Sequence, residues 1–198
     1  KWCKPNYNSV VATFCHNIAR NLPISIDNSE SQITLVYIDD VINSFIDIMD
    51  GCDPIVDNDG FAIVSQNYTT SVGKLAELIS SFSNSRSTLL SERVGIHFTR
   101  ALYSTYVSYL PPESFSYKVP MHSDERGTFV EMLKTRDSGQ FSFFTAYPGV
   151  TRGGHYHHSK TEKFLVIRGT ALFKFRHILT DESFSLQINC HTSQIVET

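Results

Sequence analysis

A pair of prolines near the middle of the chain separates two different hydrophobic patterns. Before Pro111 and Pro112 the apolar residues recur at helical spacing, whereas after them they alternate in short runs that end at glycines or polar turns. Because proline cannot continue a helix, the pair is typical of a linker. The change of pattern predicts two domains, residues 1–112 and residues 113–198.

The first domain is predicted to alternate helices with short strands. Apolar, β-branched runs over residues 33–38 and 61–64 predict strands, and a further helix is predicted over residues 96–109. Polar residues suited to helix starts precede three other amphipathic segments: Asn8 or Ser9, Asp39 with Asp40, and Thr70 or Ser71. This alternation predicts an α/β domain with a mainly parallel sheet.

The second domain is predicted to be all-β. Its candidate strands are TFVEMLKT, QFSFFTAY, GGHYHH, EKFLVIRG, TALFKFRHI and SFSLQIN. Short strands at this spacing are typical of a sandwich or barrel.

Charge and cysteine content exclude several classes of partner. The chain has 17 basic and 20 acidic residues and a net charge of −3, so it lacks the basic surface that nucleic acid or an anionic membrane attracts. No apolar run is long enough to span a bilayer and no signal peptide is evident, so we expect a soluble, cytoplasmic protein. The four scattered cysteines predict free thiols.

Three residues of the second domain form a candidate metal site. In a strand, His155 and His157 would project from the same face, and Glu162 could return beside them from the next strand. Two imidazoles and a carboxylate hold a borderline divalent metal and leave coordination positions open. Taken alone, the two histidines are also compatible with an ordinary polar surface strand.

The spacing around these residues resembles a known family. Gly149, His155, His157, Glu162 and Gly169 match the pattern G-x5-H-x-H-x4-E-x6-G, which is the first motif of the cupins. The resemblance implies a jelly-roll β-barrel, here truncated at its carboxyl end, with His155, His157 and Glu162 as metal ligands. The second cupin motif, which adds a histidine, is absent from these residues. We expect zinc, although this donor set also accepts manganese, iron or nickel.

Two further segments, DERGTFVE and PGVTRGGHYH, resemble the dTDP-sugar 3,5-epimerases and related nucleotide-sugar cupins. The resemblance implies that Arg126 holds a diphosphate oxygen, that Phe129 packs on the base and Glu131 bonds it, and that Arg152 lies beside the sugar or diphosphate. Arginine geometry suits phosphate. The alternative is that Phe129 is a core residue and that Arg126 and Glu131 form a cross-strand ion pair.

The two resemblances assign different roles to His155. The metal-free epimerases place their catalytic base at this position, whereas the cupin motif makes it a ligand. A metal-bound imidazole has no lone pair left for a proton, so a bound metal requires a different base. His158, His177 and His191 are expected to be surface or core residues.

The first domain resembles the carboxyl half of extended, Rossmann-type short-chain dehydrogenase/reductases that act on nucleotide sugars, through LVYIDDV with LPISI before it and YTTSVGKLAELI after it. That family places its glycine-rich dinucleotide loop and its Tyr-x-x-x-Lys pair upstream, and neither occurs in residues 1–112. We therefore expect NADPH to be bound mainly outside this chain, with no cofactor-binding residue within it. Asn8 is a substrate-side candidate, and Asp39 and Asp40 are expected to serve only as a helix start.

The combination of both parts resembles the bifunctional enzymes of capsular polysaccharide synthesis that fuse a reductase to a cupin. The resemblance implies C3 epimerisation of UDP-2-acetamido-2,6-dideoxy-4-hexulose, followed by reduction at C4 with NADPH to UDP-2-acetamido-2,6-dideoxy-L-talose. It also implies a homodimer. The alternatives are a sugar-nucleotide ketoisomerase and a non-catalytic metal- or sugar-binding cupin. Because the chain lacks an initial Met and closes within a predicted strand, we expect a piece of a longer protein that is inactive as a reductase by itself.

Overall fold

The computed structural model describes residues 1–198 and shows a mixed α/β fold with several separate sheets. Two compact units are present, Lys1–Thr151 and Arg152–Thr198. The domain boundary between residues 112 and 113 stays a prediction. No helix combines the length and apolar character that crossing a membrane requires.

The four predicted helices are confirmed in the first unit. They are α1 (Val10–Ile18), α2 (Ile38–Met49), α3 (Val72–Thr88) and α4 (His97–Ser108). The side chain of Ser9 caps α1 by accepting a hydrogen bond from the backbone of Ala12, and Ser71 caps α3 in the same way through Lys74. Asp39 and Asp40 lie in the first turn of α2, where the helix dipole favours negative charge.

Six strands belong to the same unit: β1 (Gln32–Leu35), β2 (Tyr68–Ser71), β3 (Leu90–Ser91), β4 (Met121–Asp124), β5 (Gly127–Thr135) and β6 (Gln140–Phe144). β1 pairs with β2 in antiparallel orientation. β4, β5 and β6 form an antiparallel meander, which β3 joins by pairing with β5 in parallel. The prediction of a mainly parallel sheet is therefore wrong, because only β3 and β5 run in parallel.

The strand predicted over residues 61–64 does not form. The carboxylate of Asp57 accepts hydrogen bonds from the backbone amides of Asp59 and Phe61, which closes a tight turn. This turn leaves only a single bridge between Val56 and Ala62. Local turn chemistry thus overrides the apolar, β-branched run.

The core of the first unit lies between α1, α3 and α4. Its buried members are Phe14, Cys15, Leu75, Ala76, Ile79, Phe82, Leu102 and Tyr106. The ring of Phe82 meets that of Tyr103 edge-on at 5.1 Å and lies 5.9 Å from the ring of Tyr106. These aromatic contacts pack α3 against α4.

Burial makes one of the four free cysteines different from the others. Cys15 is fully buried, and the loss of water around it raises the pKa of its thiol to about 12. We expect iodoacetamide to alkylate the exposed Cys3 and Cys52 in the folded protein and to leave Cys15 unmodified until denaturant is added. Mass spectrometry of peptides from native and denatured samples measures this, and native labelling of Cys15 at the rate of Cys52 would contradict the packing.

Two ion pairs hold the end of β3 against the turn between β5 and β6. Arg93 binds Asp137 at 2.5 Å, and Arg136 binds Glu92 at 2.9 Å. Beside them, the backbone amide of Lys134 donates to the carbonyl of Leu89. The helical part and the meander are therefore connected by a backbone hydrogen bond and by two ion pairs.

The second unit contains β7 (Lys163–Leu165), β8 (Thr170–Arg176), β9 (Ser183–Asn189) and β10 (Ile195–Glu197). β8 and β9 form a hairpin, and β10 pairs with β7 in antiparallel orientation. One face of the hairpin is apolar because Phe173 lies opposite Leu186 and Phe175 lies opposite Phe184. The strands predicted over these segments are confirmed.

The strand predicted over residues 153–158 is not present, and these residues form an irregular loop. Gly153 and Gly154 have φ angles of +105° and +77°, which an extended strand does not allow. The prediction that His155 and His157 project from one face of a strand is therefore wrong as to the backbone.

Candidate metal centre

The loop places the two predicted histidine ligands side by side. The ring centroids of His155 and His157 are 4.9 Å apart, and the planes meet at 66°. The rings of Tyr156 and His158 form a second close pair, 5.1 Å apart. The convergence predicted for His155 and His157 is thus observed, although a loop and not a strand produces it.

The third predicted ligand is held by the backbone ladder of the second unit. Glu162 directly precedes β7, and its amide donates to the carbonyl of Thr198 at 2.9 Å. The amide of Thr198 donates back to the carbonyl of Glu162 at 3.0 Å, so the pair extends the β7–β10 ladder by one position. The main chain of Glu162 is therefore fixed more firmly than that of the histidine loop.

The three side chains converge on one point of the second unit. The ligand atoms of His155, His157 and Glu162 all lie within 4.8 Å of one another, and Nε2 of His157 is 3.7 Å from Oε2 of Glu162. The other carboxylate oxygen, Oε1, accepts a hydrogen bond from Nζ of Lys160 at 2.6 Å. That hydrogen bond is the main reason why the pKa of Glu162 is lowered, and the charges of Lys160 and the two histidines lower it further.

This donor set fits a divalent metal. At the tetrahedral angle, bonds of about 2.0–2.2 Å place two ligand atoms about 3.4 Å apart, so the 3.7 Å between Nε2 of His157 and Oε2 of Glu162 is already close to that separation. No two ligand atoms of the triad are more than 4.8 Å apart, so side-chain movements of roughly 1.5 Å at most bring all three to tetrahedral separations around one ion. Three protein ligands leave at least one position for water or substrate, which is typical of catalytic zinc centres.

Arg126 lies in the turn between β4 and β5, in the first unit. Its Nε and Nη2 atoms donate to Oδ2 of Asp124 at 2.9 Å and 2.6 Å, and its backbone amide donates to Oδ1. The neighbouring Gly127 has a φ of +133°, and a Cβ at that position would collide with the carbonyl oxygen of Thr145. The turn therefore fixes the backbone and the guanidinium group of Arg126 while the side chain stays more than half exposed.

Phe129 and Glu131 lie on β5 and share one of its faces. Phe129 is half-buried, and in the sheet it lies between His122 on β4 and Phe144 on β6. Glu131 forms an ion pair with Lys134 at 2.8 Å. The cross-strand pair between Arg126 and Glu131, considered as an alternative, is therefore not formed.

The remaining sequence candidates occupy different places. Arg152 is partly buried and lies three positions before His155 in the second unit. Asn8 is exposed, directly before the residue that caps α1. The three histidines without an assigned role, His158, His177 and His191, are all exposed, as expected for surface residues.

An apolar pocket of the first unit was not predicted from the sequence. It has a volume of about 140 Å³ and lies between α1, β1 and α4. Its lining includes Ser9, Leu35, Tyr37, Phe98 and Tyr109. The segment around Tyr37 drew attention for its resemblance to reductases, but the pocket depends on contacts between distant segments that no local pattern reveals.

Comparison with known proteins identifies similar sequences. The family described as "Polysaccharide biosynthesis C-terminal domain" matches residues 122–198. A curated relative from Pseudomonas aeruginosa, named UDP-2-acetamido-2,6-beta-L-arabino-hexul-4-ose reductase, is 64% identical over all 198 residues, which cover 52% of that relative. The chain thus spans about half the length of the curated relative that it matches.

Solved structures give the same result. The capsular polysaccharide assembling protein CapF from Staphylococcus aureus matches with a TM-score of 0.92 and 40% identity, over 100% of this chain and 53% of that one. A structure described as CapF with the inhibitor 3-isopropenyl-tropolone matches with a TM-score of 0.94 and 40% identity, over 100% of this chain and 57% of that one. The resemblance to proteins of capsular polysaccharide synthesis noted in the sequence is confirmed, and the fusion of a reductase to a cupin stays a prediction.

Proposed function

We propose that this chain is part of a bifunctional nucleotide-sugar enzyme of capsular polysaccharide biosynthesis. Its β-rich part, a cupin, epimerises C3 of UDP-2-acetamido-2,6-dideoxy-4-hexulose. A short-chain reductase domain then reduces C4 with NADPH to give UDP-2-acetamido-2,6-dideoxy-L-talose. The single observation that carries the proposal is the convergence of His155, His157 and Glu162 in a chain 64% identical to a named UDP-sugar reductase.

The metal centre is the first element of the proposal. His155, His157 and Glu162 hold a divalent ion, and we propose zinc because nitrogen and oxygen donors with an open position suit it. Bound beside the sugar, such an ion supplies a positive charge that stabilises an enolate oxygen. A tropolone has two adjacent oxygens that chelate divalent metals, so a CapF inhibitor of that class supports a metal centre.

The chemistry at C3 follows from the neighbouring ketone. Removal of the C3 proton gives an enolate whose charge moves to the C4 oxygen, and return of a proton to the opposite face inverts C3. This inversion needs an acid and a base on opposite sides of the ring. With His155 bound to metal, the base is a different group, whereas without metal His155 itself is the base.

Substrate binding is assigned to four other residues. Arg126 would donate to a diphosphate oxygen, Phe129 would stack on the uracil, Glu131 would bond the base and Arg152 would lie beside the sugar or diphosphate. The fixed, half-exposed guanidinium group of Arg126 supports this role, because an arginine that is already oriented loses less entropy on binding.

The reductase reaction concerns the first unit. We propose that the pocket lined in part by Ser9, together with Asn8, its exposed neighbour in the chain, contributes to binding of the sugar nucleotide for reduction. NADPH would be bound by polypeptide outside these 198 residues. The catalytic tyrosine and lysine of the reductase would also lie there. We also propose that the longer protein is a homodimer.

A deuterium exchange experiment tests the proposal. The longer protein is incubated in D₂O with the UDP-4-keto sugar, without and then with NADPH. We expect one deuterium at C3 by NMR in the first case, because the C3 proton exchanges through the enolate, and NADPH oxidation in the second. The 198-residue chain alone is expected to oxidise no NADPH.

Each other outcome of that experiment favours a different function. A carbonyl that moves from C4 to C3 would identify a ketoisomerase. If the protein binds the sugar nucleotide but shows no exchange at C3 and no reduction, it is a non-catalytic cupin. NADPH oxidation by the 198-residue chain alone would show that the reductase machinery lies within it and would contradict its assignment to the rest of the protein.

A further inference from the structure

The two oxygens of the Glu162 carboxylate face different partners. Oε2 lies 3.7 Å from Nε2 of His157, on the side where the three ligand atoms converge. Oε1 receives a hydrogen bond of 2.6 Å from Nζ of Lys160. One oxygen is therefore directed to the metal position, and the other is held by an ammonium group.

This arrangement constrains the rotation of the carboxylate. The backbone of Glu162 is fixed through its two hydrogen bonds with Thr198, so the remaining freedom lies in the side chain. A charge-assisted hydrogen bond on Oε1 limits that freedom, because rotating the carboxylate would break a short contact with a cation. Lys160 reaches this position from the loop that carries His157, so the bond also connects the loop to the strand end.

We propose that Lys160 is a positioning residue for the metal centre. By holding Oε1 it presents Oε2 alone to the metal, so that Glu162 binds through one oxygen. The inference rests on the proposed function, because it concerns the metal site of that proposal, and it adds a residue outside the ligand triad.

Two physical effects of Lys160 oppose each other. Its positive charge repels a divalent cation, so electrostatics alone predicts that a neutral side chain would tighten metal binding. Its hydrogen bond orients a ligand, and loss of such an outer contact typically weakens metal affinity by about tenfold to a hundredfold. At this partly exposed position the high dielectric constant of water weakens the repulsion, so we expect the orienting effect to dominate.

The test compares the zinc affinities of three variants of the longer protein of which this chain is a part. Lys160→Met removes the ammonium group and keeps the length of the side chain, and Lys160→Arg keeps a cation that donates hydrogen bonds. Lys163→Met is the matched control, because Lys163 pairs with the exposed Glu197 at 3.3 Å, outside the triad. Zinc affinity is measured by competition with a chromophoric chelator, and circular dichroism verifies folding.

We expect Lys160→Met to bind zinc about tenfold more weakly, Lys160→Arg to recover most of the loss, and Lys163→Met to match the parent protein. Equal or tighter binding by a folded Lys160→Met protein would overturn the positioning role and leave the metal centre standing. Absence of zinc binding by the unsubstituted longer protein would overturn the metal centre itself, and the role of Lys160 with it.

A spectroscopic measurement distinguishes a change in the orientation of the Glu162 carboxylate from a general disturbance of the loop. With Co²⁺ in place of zinc, the visible absorption spectrum depends on the number and geometry of the ligands. We expect the spectrum of Lys160→Met to change because a released carboxylate binds through both oxygens, and that of Lys160→Arg to stay close to the parent's. Identical spectra for the parent and Lys160→Met would contradict the proposal even if affinity falls.

Discussion

Replacing His157 with alanine is expected to remove the bound divalent metal from the protein. His157 lies between its two partners, with its ring 4.9 Å from that of His155 and its Nε2 3.7 Å from Glu162. The variant keeps only two ligands, so the loss of zinc affinity should exceed the roughly tenfold to hundredfold loss typical of an outer-shell contact. Elemental analysis and chelator competition on the purified protein measure both stoichiometry and affinity.

The matched control for this variant is His158→Ala. His158 is adjacent in the same loop and also exposed, but its ring pairs with Tyr156 and it is not part of the triad. This control should keep full metal stoichiometry. Equal loss of metal in both variants would show that the loop and not the ligand set is responsible, and retention in both would eliminate the proposed centre.

Replacing Phe82 with alanine is expected to cause a large loss of stability in the first unit. Phe82 is 1% exposed and contacts the rings of Tyr103 and Tyr106. Removal of a buried aromatic side chain costs about 3–5 kcal/mol through lost burial and the cavity left behind. Because the free energy of unfolding of a typical domain is about 5–15 kcal/mol, the variant should unfold at a clearly lower urea concentration.

Phe45→Ala is the control for the same chemical change at a solvent-facing position. Phe45 lies on α2 and is 63% exposed. Its replacement should change the free energy of unfolding by less than about 1 kcal/mol, as is usual for surface positions. Urea unfolding followed by circular dichroism measures both variants, and similar losses in the two would contradict the observed core.

The helices could be predicted because the residues that determine them lie close together in the sequence. The caps of α1 and α3 depend on one side chain and on the amide three residues later, and the apolar stripes follow from the same short window. The pairing of β3 with β5 was not predictable in this way. It joins segments more than 40 residues apart, and two residues of β3 give too short a pattern to detect.

The candidate metal site was predictable in its residues but not in its backbone. Donor types and spacing identified His155, His157 and Glu162, which do converge. The predicted strand was wrong because the glycines before the histidines adopt left-handed backbone angles. Lys160 drew no attention in the sequence, since a lysine in a polar loop is ordinary until the structure places its Nζ on a ligand oxygen.

The joint between β3 and β5 has a consequence for the order of folding. The hairpins of the β4–β5–β6 meander close short loops, and α3 contacts α4 close by in sequence, so both groups can form early. The ion pairs at the joint connect residues 44 positions apart, and closing so long a loop costs more chain entropy. We therefore expect β3 to pair with β5 late in folding, after the helices and the meander on either side have formed.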